Sequence, residues 1–280
     1  MYIGEYKVLD IEYDELMGLA SHYKSAYSSN SPFPNIYFDD FFNSEFLSLV
    51  LSEFPDMGNK GDIEYKTPNE VKLASRGENR FGKATKVFMH FLNSEPFLNF
   101  LSELTGIDDL LGDPYYEGGG CHQIKRGGFL KVHADFNKHK RTGLDRRLNV
   151  LVYLNKDWKE EYGGHFELWN DDMTKGEKKI LPLFNRMAMF STTDFSYHGH
   201  PDKLNCPEDR SRRSLALYYY TNGRPSHEVN EGLEDHTTLF VDRKGVESEK
   251  SMRKYNAVVN FASNWMPPVI WRAIKNMRNK

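Results

Sequence analysis

The sequence predicts an α+β protein in which an antiparallel β-sandwich or barrel is flanked by helices. The N-terminal third carries apolar residues at helical spacing. From about residue 115, short apolar or alternating runs separated by turn residues take over, with no helical pattern between them. Aromatic residues are abundant, with 16 Tyr and 19 Phe, and these residues suit a β-rich core.

Four N-terminal helices are predicted from apolar residues spaced three and four apart, at 10–30, 46–54, around 88–92 and at 96–104. Pro55 ends the second helix and Gly106 closes the fourth. The stretch at 56–82, between the second and third predicted helices, is polar and contains several glycines. We therefore expect a long irregular loop there.

Six strands are predicted for the core, at 121–124, 129–132, 148–154, 165–169, 187–191 and 214–220. The glycine groups among them do not open a helix, which excludes a nucleotide-phosphate loop. We therefore expect an N-terminal helical flank at 1–114, a core at 115–225 and a C-terminal extension at 226–280. The extension ends in an amphipathic helix, and all three parts form one structural unit.

Composition narrows the class of protein. The formal charge of the 280 residues is −3, which gives no footprint for general nucleic-acid binding. The two cysteines, Cys121 and Cys206, are far apart and favour a reducing compartment over a disulfide framework. The N-terminus shows no signal-peptide pattern, and no apolar run reaches membrane-spanning length. We expect a cytoplasmic protein without an integral membrane segment.

A pair of metal-binding residue types ends the second core strand. His133 and Asp135 are two positions apart, so in an extended strand both side chains project from one face. Candidate third ligands are His198 and His200. Two histidines and one carboxylate bind Fe(II) with three positions left open, and they also bind Zn²⁺ in hydrolases.

The surrounding motifs resemble the prolyl 4-hydroxylase-like branch of the Fe(II)/2-oxoglutarate-dependent oxygenases, across roughly residues 115–225. The matching features, in family order, are His133-Ala134-Asp135, the strand Asn149-Val150-Leu151-Val152-Tyr153-Leu154-Asn155, then Gly163-Gly164-His165-Phe166-Glu167-Leu168, His198-Gly199, and Arg213-Ser214-Leu215-Ala216-Leu217-Tyr218-Tyr219-Tyr220. Several motifs in the right order are much more specific than any one of them.

The resemblance implies a double-stranded β-helix, or jelly-roll, with iron at its mouth. By position, His133, Asp135 and His198 would be the metal ligands. Arg213 would pair with the distal carboxylate of 2-oxoglutarate, and Tyr153 would donate a hydrogen bond to the same group. An arginine suits this role because its planar fork matches a carboxylate bidentately.

Some assignments leave alternatives. His200 competes with His198 as the distal ligand, and the family pattern favours the histidine that precedes a small residue. Arg212 and Arg213 fall on opposite faces of a strand, and the family position selects Arg213. His122 and Gln123, on the strand before the metal pair, are further candidates for contact with the cosubstrate.

The predicted function is a dioxygenase that hydroxylates an unactivated C–H bond and releases succinate and CO₂. It would use Fe(II), 2-oxoglutarate and O₂, with ascorbate as an optional reductant. Asp135 favours hydroxylation, because halogenating family members have a small residue at this position. Two alternatives stay open: a zinc hydrolase with the same three ligands, and a non-catalytic jelly-roll that binds a sugar or a protein.

The substrate is not predicted beyond its class. The segments 56–82 and 136–147 are expected to border the mouth, and their basic residues favour an acidic or phosphorylated small molecule or a sugar nucleotide. Peptidyl proline, a free amino acid, a glycan precursor and a natural-product intermediate all stay open. The oligomeric state is not predicted either.

Overall fold

The computed structural model describes residues 1–58, 62–229 and 235–246. Its four α-helices are α1 (Tyr13–Ser29), α2 (Ser44–Ser52), α3 (Lys83–Leu92) and α4 (Glu95–Thr105). Its strands are β1 (Tyr2–Ile3), β2 (Tyr6–Lys7), β3 (Asn35–Phe38), β4 (Ile63–Lys66), β5 (Glu70–Ala74), β6 (Gly120–Lys125), β7 (Phe129–Ala134), β8 (Asp145–Tyr153), β9 (Phe166–Trp169), β10 (Gly176–Ile180), β11 (Met187–Ser191), β12 (His198–His200), β13 (Ser211–Thr221) and β14 (Leu239–Phe240). The predicted C-terminal amphipathic helix lies outside the described residues.

The N-terminal helices begin and end at the residues that local chemistry favours. α1 starts with a capping box in which Glu12 and Glu15 satisfy each other's backbone N–H groups. The side chain of Asn43 accepts a hydrogen bond from the Phe46 backbone at the start of α2. Gly106 ends α4 in the left-handed conformation, with φ at 69°.

Twelve strands form one curled antiparallel sheet, in the order β10-β9-β12-β7-β5-β6-β13-β8-β11-β3, with β14 beside β7 and β4 beside β5. The fold is the jelly-roll type expected, an α+β protein with a mainly β core. β4 and β5 lie in the segment predicted as a long loop, so that prediction was wrong. The error arose because the alternating pattern in Glu70–Ala74 is short and charged, and its strand character depends on pairing with β6 and β7.

Strand alternation separates the helical side of the sheet from the inner side. On β8, Leu148, Val150 and Val152 pack into the same apolar cluster as the helices. Tyr153, two positions on from Leu151, belongs to an inner cluster with Phe166 and residues of β10 and β11. The helical flank therefore covers one face and leaves the other to line an interior site.

All six predicted core strands are confirmed, whereas the short strands β10, β12 and β14 were missed. β3 and β5, both inside the predicted flank, pair with core strands β11 and β6. The boundaries at 114 and 225 stay a prediction. Across the part of the chain that the structure describes, every helix is too short or too polar to span a bilayer.

Candidate active site

Two histidines on neighbouring strands and one aspartate form a compact cluster. His133 on β7 is the direct antiparallel partner of His198 on β12, and their ring centroids are 4.4 Å apart. Asp135 follows β7 by one residue, and its oxygens lie 3.6 Å from Nε2 of His133 and 3.4 Å from Nε2 of His198. Ligand atoms about 2.1 Å from one metal, at right angles, are about 3 Å apart. The cluster therefore has the spacing of a metal site.

Both histidines present the same nitrogen to the centre of the cluster. Nδ1 of His133 lies 2.8 Å from the Lys131 carbonyl, and Nδ1 of His198 lies 2.9 Å from the Ser196 carbonyl. A carbonyl only accepts, so each Nδ1 carries the proton and donates it. This arrangement leaves each Nε2 with a free lone pair, which is the tautomer that a metal ligand requires.

Asp135 is held by two buried polar residues. Oδ2 accepts a hydrogen bond from the Asn149 amide at 2.7 Å and lies 2.9 Å from Nη2 of Arg146. Nε of Arg146 also donates to the Asn149 side chain at 2.8 Å, so the three side chains orient one another. Burial would raise the pKa of Asp135, but Arg146 and the two histidines hold it well below its ordinary value. Asp135 is therefore ionised.

The surroundings of His198 keep its imidazole neutral. Its ring packs 4.5 Å from Phe190 and 5.7 Å from Phe166, measured between centroids. Burial, opposed in part by Asp135, lowers the pKa of His198 to about 3. A neutral imidazole is the form that binds a metal ion.

Gly199, between the two histidines of β12, lets this strand lie close to β7. A side-chain carbon at this position would sit 2.8 Å from the Leu130 carbonyl oxygen and 2.9 Å from that of Lys131. Both obstacles are backbone atoms of β7, so they cannot rotate away. The cross-strand approach of His198 to His133 therefore depends on the glycine.

Behind the cluster lies an inner cavity, lined by residues from eight strands of the curled sheet. They include His122 and Ile124 on β6, Asn149 and Leu151 on β8, His198 and His200 on β12, and Arg212 and Ser214 on β13. His133 and Asp135 also contribute to its wall. The inner cavity is therefore a space adjoining the three candidate ligands, bounded by polar and cationic side chains.

Arg212 is the cation that lines the inner cavity without also lining the outer cleft described below. Its side chain is buried, Nε donates to the Gly164 carbonyl at 2.8 Å, and Nη2 lies 3.4 Å from the Tyr153 hydroxyl. Gly164, at φ 74°, belongs to the predicted Gly-Gly motif, and a side chain there would approach Cδ of Arg212 at 3.0 Å. Among the described residues no carboxylate pairs with Arg212, and burial lowers its pKa. A buried, unpaired guanidinium favours binding of an anion.

Arg213 and Gln123, two of the predicted cosubstrate contacts, do not line the inner cavity. Both side chains lie on the opposite face of their strands, where Arg213 packs 5.4 Å from the Phe54 ring centroid. Gln123 is the antiparallel partner of Arg213 and donates to Ser211 at 2.9 Å. The prediction selected Arg213 by family position and Gln123 because it lies on the strand before the metal pair. Strand alternation instead turns their neighbours Arg212 and His122 inward.

The other predicted residues do line the inner cavity or its wall. His122 donates from Nε2 to the Gly118 carbonyl at 3.0 Å, and burial lowers its pKa to about 3. Tyr153 is fully buried beside Arg212, and burial raises its pKa, so its hydroxyl keeps its proton. His200 lies in the same cavity with neither ring nitrogen hydrogen-bonded. These nitrogens are available to a bound group.

An outer cleft of about 820 Å³ meets the inner cavity at the cluster. The two spaces share Lys72, Leu130, His133, Asp135, Arg146 and Tyr218. The cleft is bordered by β4, β5 and the segments around 115–118 and 136–141, as expected for the two segments predicted at the mouth. A volume of this size accommodates a substrate of drug-like or nucleotide size.

Sequence reasoning missed three charged or polar residues of the site: Arg146, Asn149 and Lys72. Arg146 and Asn149 both face the cavity from β8. Alternation back from Tyr153 identifies Asn149 but not Arg146, because the pairing register with β13 shifts between Leu148 and Arg146. Lys72 is on β5, which was predicted as loop. Nothing in the sequence alone signals its approach to the site.

Comparison with known proteins agrees with this geometry. Residues 119–220 match the family model described as the 2OG-Fe(II) oxygenase superfamily. The core of the chain is therefore similar in sequence to the 2OG-Fe(II) oxygenases. The matched segment spans all three residues of the cluster and Arg212, and the predicted family, enzyme class and cofactors, Fe(II) and 2-oxoglutarate, are confirmed. No match to a curated protein was found for this oxygenase by sequence.

Solved structures share the fold of this oxygenase at low sequence identity. A prolyl-4-hydroxylase of Pseudomonas putida superposes with a TM-score of 0.53 at 14% identity, covering 73% of this chain and 100% of that one. A prolyl hydroxylase of Trichoplax adhaerens, in complex with a hypoxia-inducible-factor peptide fragment, gives 0.52 at 18% identity, over 74% and 91%. A prolyl 4-hydroxylase of Phytophthora capsici gives 0.50 at 15% identity, over 92% and 79%.

Proposed function

We propose that this oxygenase hydroxylates an unactivated C–H bond of a substrate bound in the outer cleft, with release of succinate and CO₂. The observation that carries the proposal is the convergence of two Nε2 lone pairs and the Asp135 carboxylate beside a cavity that ends in the unpaired Arg212. His133, Asp135 and His198 would hold Fe(II), since two imidazoles and one carboxylate leave three coordination positions open. When bound, iron and 2-oxoglutarate would supply the chemistry that activates O₂, the oxidant, so that one oxygen atom enters the substrate and the other enters succinate.

The inner cavity fits the dianionic cosubstrate. Arg212 would bind its distal carboxylate, with Tyr153 donating a second hydrogen bond and His200 offering a ring nitrogen that lacks a partner in the cavity. A buried arginine without a carboxylate is costly unless an anion completes the pair. Arg212 therefore replaces Arg213 as the proposed cosubstrate anchor.

The residues of this chain have three further tasks in the reaction. Arg146 and Asn149 orient Asp135 and keep it ionised, so the carboxylate is available to the metal. Phe166 and Phe190 exclude water from the face of His198. Because Asp135 occupies the third ligand position, no site is opened for a halide, which favours hydroxylation.

Anaerobic titration of the protein with Fe(II) and 2-oxoglutarate tests the proposal. We expect a weak visible charge-transfer band that requires both components and is absent from the His133→Ala variant. Succinate release screened against small molecules, glycan precursors and peptides, with mass spectrometry, should then show a gain of one oxygen atom. Absence of the band with Fe(II), while Zn²⁺ supports hydrolysis, would refute the proposal.

The compartment is part of the proposal. Cys121 and Cys206 are both free and buried in the structure, and neither pairs in a disulfide. Free buried thiols suit a reducing environment such as the cytoplasm. Maleimide labelling of the denatured protein, isolated under conditions that trap thiols, should modify both cysteines.

A further inference from the structure

We propose that the outer cleft binds an anionic small molecule, one that joins a carboxylate or phosphate to a ring or other flat apolar part. This inference rests on the proposed function, because it names the substrate class of the same site. It is argued from the charges, pairing and aromatic walls of the cleft.

Cationic side chains outnumber acidic ones around the cleft. Five Lys and Arg side chains line it, Lys72, Arg76, Lys140, Arg141 and Arg146, against three acids, Glu70, Glu117 and Asp135. Asp135 is the proposed metal ligand, and Fe(II) with 2-oxoglutarate adds no net charge because +2 and −2 cancel. The bound substrate therefore meets a positive field, which attracts anions and repels cations.

The innermost cations are already paired, whereas two of the three exposed cations at the rim are not. Lys72 lies 3.0 Å from Glu70, and Arg146 lies 2.9 Å from Asp135. Arg76 and Arg141 have no ion pair among the described residues, and both are exposed at the surface end of the cleft. The rim therefore offers two guanidinium groups for an incoming anion, from the segments after β5 and after β7.

Aromatic rings form the wall between the rim and the metal cluster. Tyr115 is half exposed, and the Arg141 guanidinium stacks 4.6 Å from its ring centroid. Further in, Phe136 and Tyr218 both contact Arg146, with ring centroids 4.4 Å and 3.4 Å from its guanidinium carbon. Stacked arginine and tyrosine surfaces bind flat groups well. The anion would lie at the rim and the carbon to be hydroxylated near His133 and Asp135.

The rim geometry disfavours a cationic substrate. A cationic group entering the cleft would pass Arg76 and Arg141 and would find Glu70 already occupied by Lys72. Glu117 lies within 4.0 Å of Lys140 and 3.7 Å of His139, so it is engaged as well. Like-charge repulsion in a cleft costs binding free energy for each unpaired cation.

Calorimetric binding on the whole protein, with and without Fe(II) and 2-oxoglutarate, tests the inference. The probes are three pairs matched in their rings: uridine monophosphate and uridine, phenyl phosphate and benzyl alcohol, and benzoate and benzamide. We expect the anionic member to bind more tightly in at least one pair, with affinity that falls as salt rises. The Arg76→Gln/Arg141→Gln double variant should weaken that binding at least about 10-fold.

The Lys24→Gln/Lys86→Gln double variant is the charge-matched control. It removes two cations from the helical flank, outside both cavities, and should leave probe binding unchanged. The inference would be overturned if the anionic and neutral members of all three pairs bound equally tightly. It would also be overturned if both double variants lost the same binding affinity for the anionic probe. The visible band of the Fe(II) and 2-oxoglutarate complex is read separately. Its absence would refute the proposed function and leave the binding result decisive for the cleft.

Discussion

The inner cavity and the outer cleft meet at one metal cluster but treat charge differently. In the inner cavity, Arg212 is buried, fixed by Gly164 and Tyr153, and pairs with no acid of the part of the chain that the structure describes. In the outer cleft the deep cations Lys72 and Arg146 are paired, and the unpaired ones, Arg76 and Arg141, are exposed at the rim. The first arrangement selects one anion of fixed size, and the second attracts anions of many shapes.

The difference separates two kinds of specificity. A buried guanidinium with a preset orientation discriminates strongly, since an uncharged ligand would leave it unpaired in a dry site. An exposed guanidinium contributes less per contact and is screened by salt. Variants at the shared cluster and in the inner cavity should therefore have large effects on ligand binding. Variants at the rim should have moderate effects that depend on salt concentration.

The largest effect is expected at the cluster that both spaces share. His198→Ala removes a proposed ligand and should lower Fe(II) affinity by at least about 100-fold. His200→Ala should leave metal affinity nearly unchanged and weaken 2-oxoglutarate instead, because its nitrogens face the inner cavity. Metal competition with a chelator and cosubstrate titration measure the two effects. The reverse result would make His200 the distal ligand.

The inner cavity is tested by two neighbouring arginines. Arg212→Gln should raise the dissociation constant of 2-oxoglutarate about 10–100-fold, since a charge-assisted hydrogen bond is lost. Arg213→Gln, on the opposite face of β13, should change it less than about 2-fold. Titration of the visible band with 2-oxoglutarate gives both constants. A larger effect in the Arg213 variant would restore the original family-based assignment.

The hydrogen bond that supports Asp135 from the inner cavity is tested at Asn149. Asn149→Ala removes the amide that orients Asp135 and should weaken Fe(II) binding about 10-fold, as is typical of groups that support a ligand. Chelator competition measures the loss, and the thermal midpoint of the metal-free variant shows whether it folds. Unchanged metal affinity in a folded variant would mean that Arg146 alone positions the carboxylate.

The smallest effect is a pH dependence of the metal-free protein. Burial lowers the pKa of His122 and of His198 to about 3 in the folded state, whereas an unfolded histidine titrates near 6.5. Between these values the unfolded chain binds more protons, so stability falls as pH drops from 7 to 5. We expect the thermal midpoint in chelator to fall by a few degrees. The His122→Gln variant should show a smaller fall in the thermal midpoint between pH 7 and pH 5. A fall as large as that of the unmodified protein would contradict the burial of His122 as a neutral side chain.

The sequence was sufficient for the fold and for expecting His133 and Asp135 to lie close together. Helical spacing and turn-bounded strands predicted α1 to α4 and six core strands, because these patterns reflect local burial on one face. His133 and Asp135 followed from strand alternation alone, and the resemblance supplied His198. Each of these inferences uses local information that a single strand or helix carries.

The rest depended on pairing between distant segments. The choice between Arg212 and Arg213 turns on which face of β13 points inward, and a family position shifted by one residue reverses it. Lys72 enters the site only because β5 pairs with β6 and β7. Asn149 and Arg146 matter because β8 lies across from Asp135. No local pattern near these residues records those contacts.

Because His133 pairs with His198 across two strands, a metal ion bound at the proposed site would have a role in folding as well as in chemistry. A bound ion would join β7 to β12, two strands separated in sequence by β8 to β11, and it would bind only the folded chain. At a free metal concentration 100 times the dissociation constant, such binding adds about 2.7 kcal/mol to the free energy of unfolding. The lifetime of this enzyme in a cell would therefore depend on the supply of iron, because metal-free molecules would unfold and be degraded before iron-bound ones.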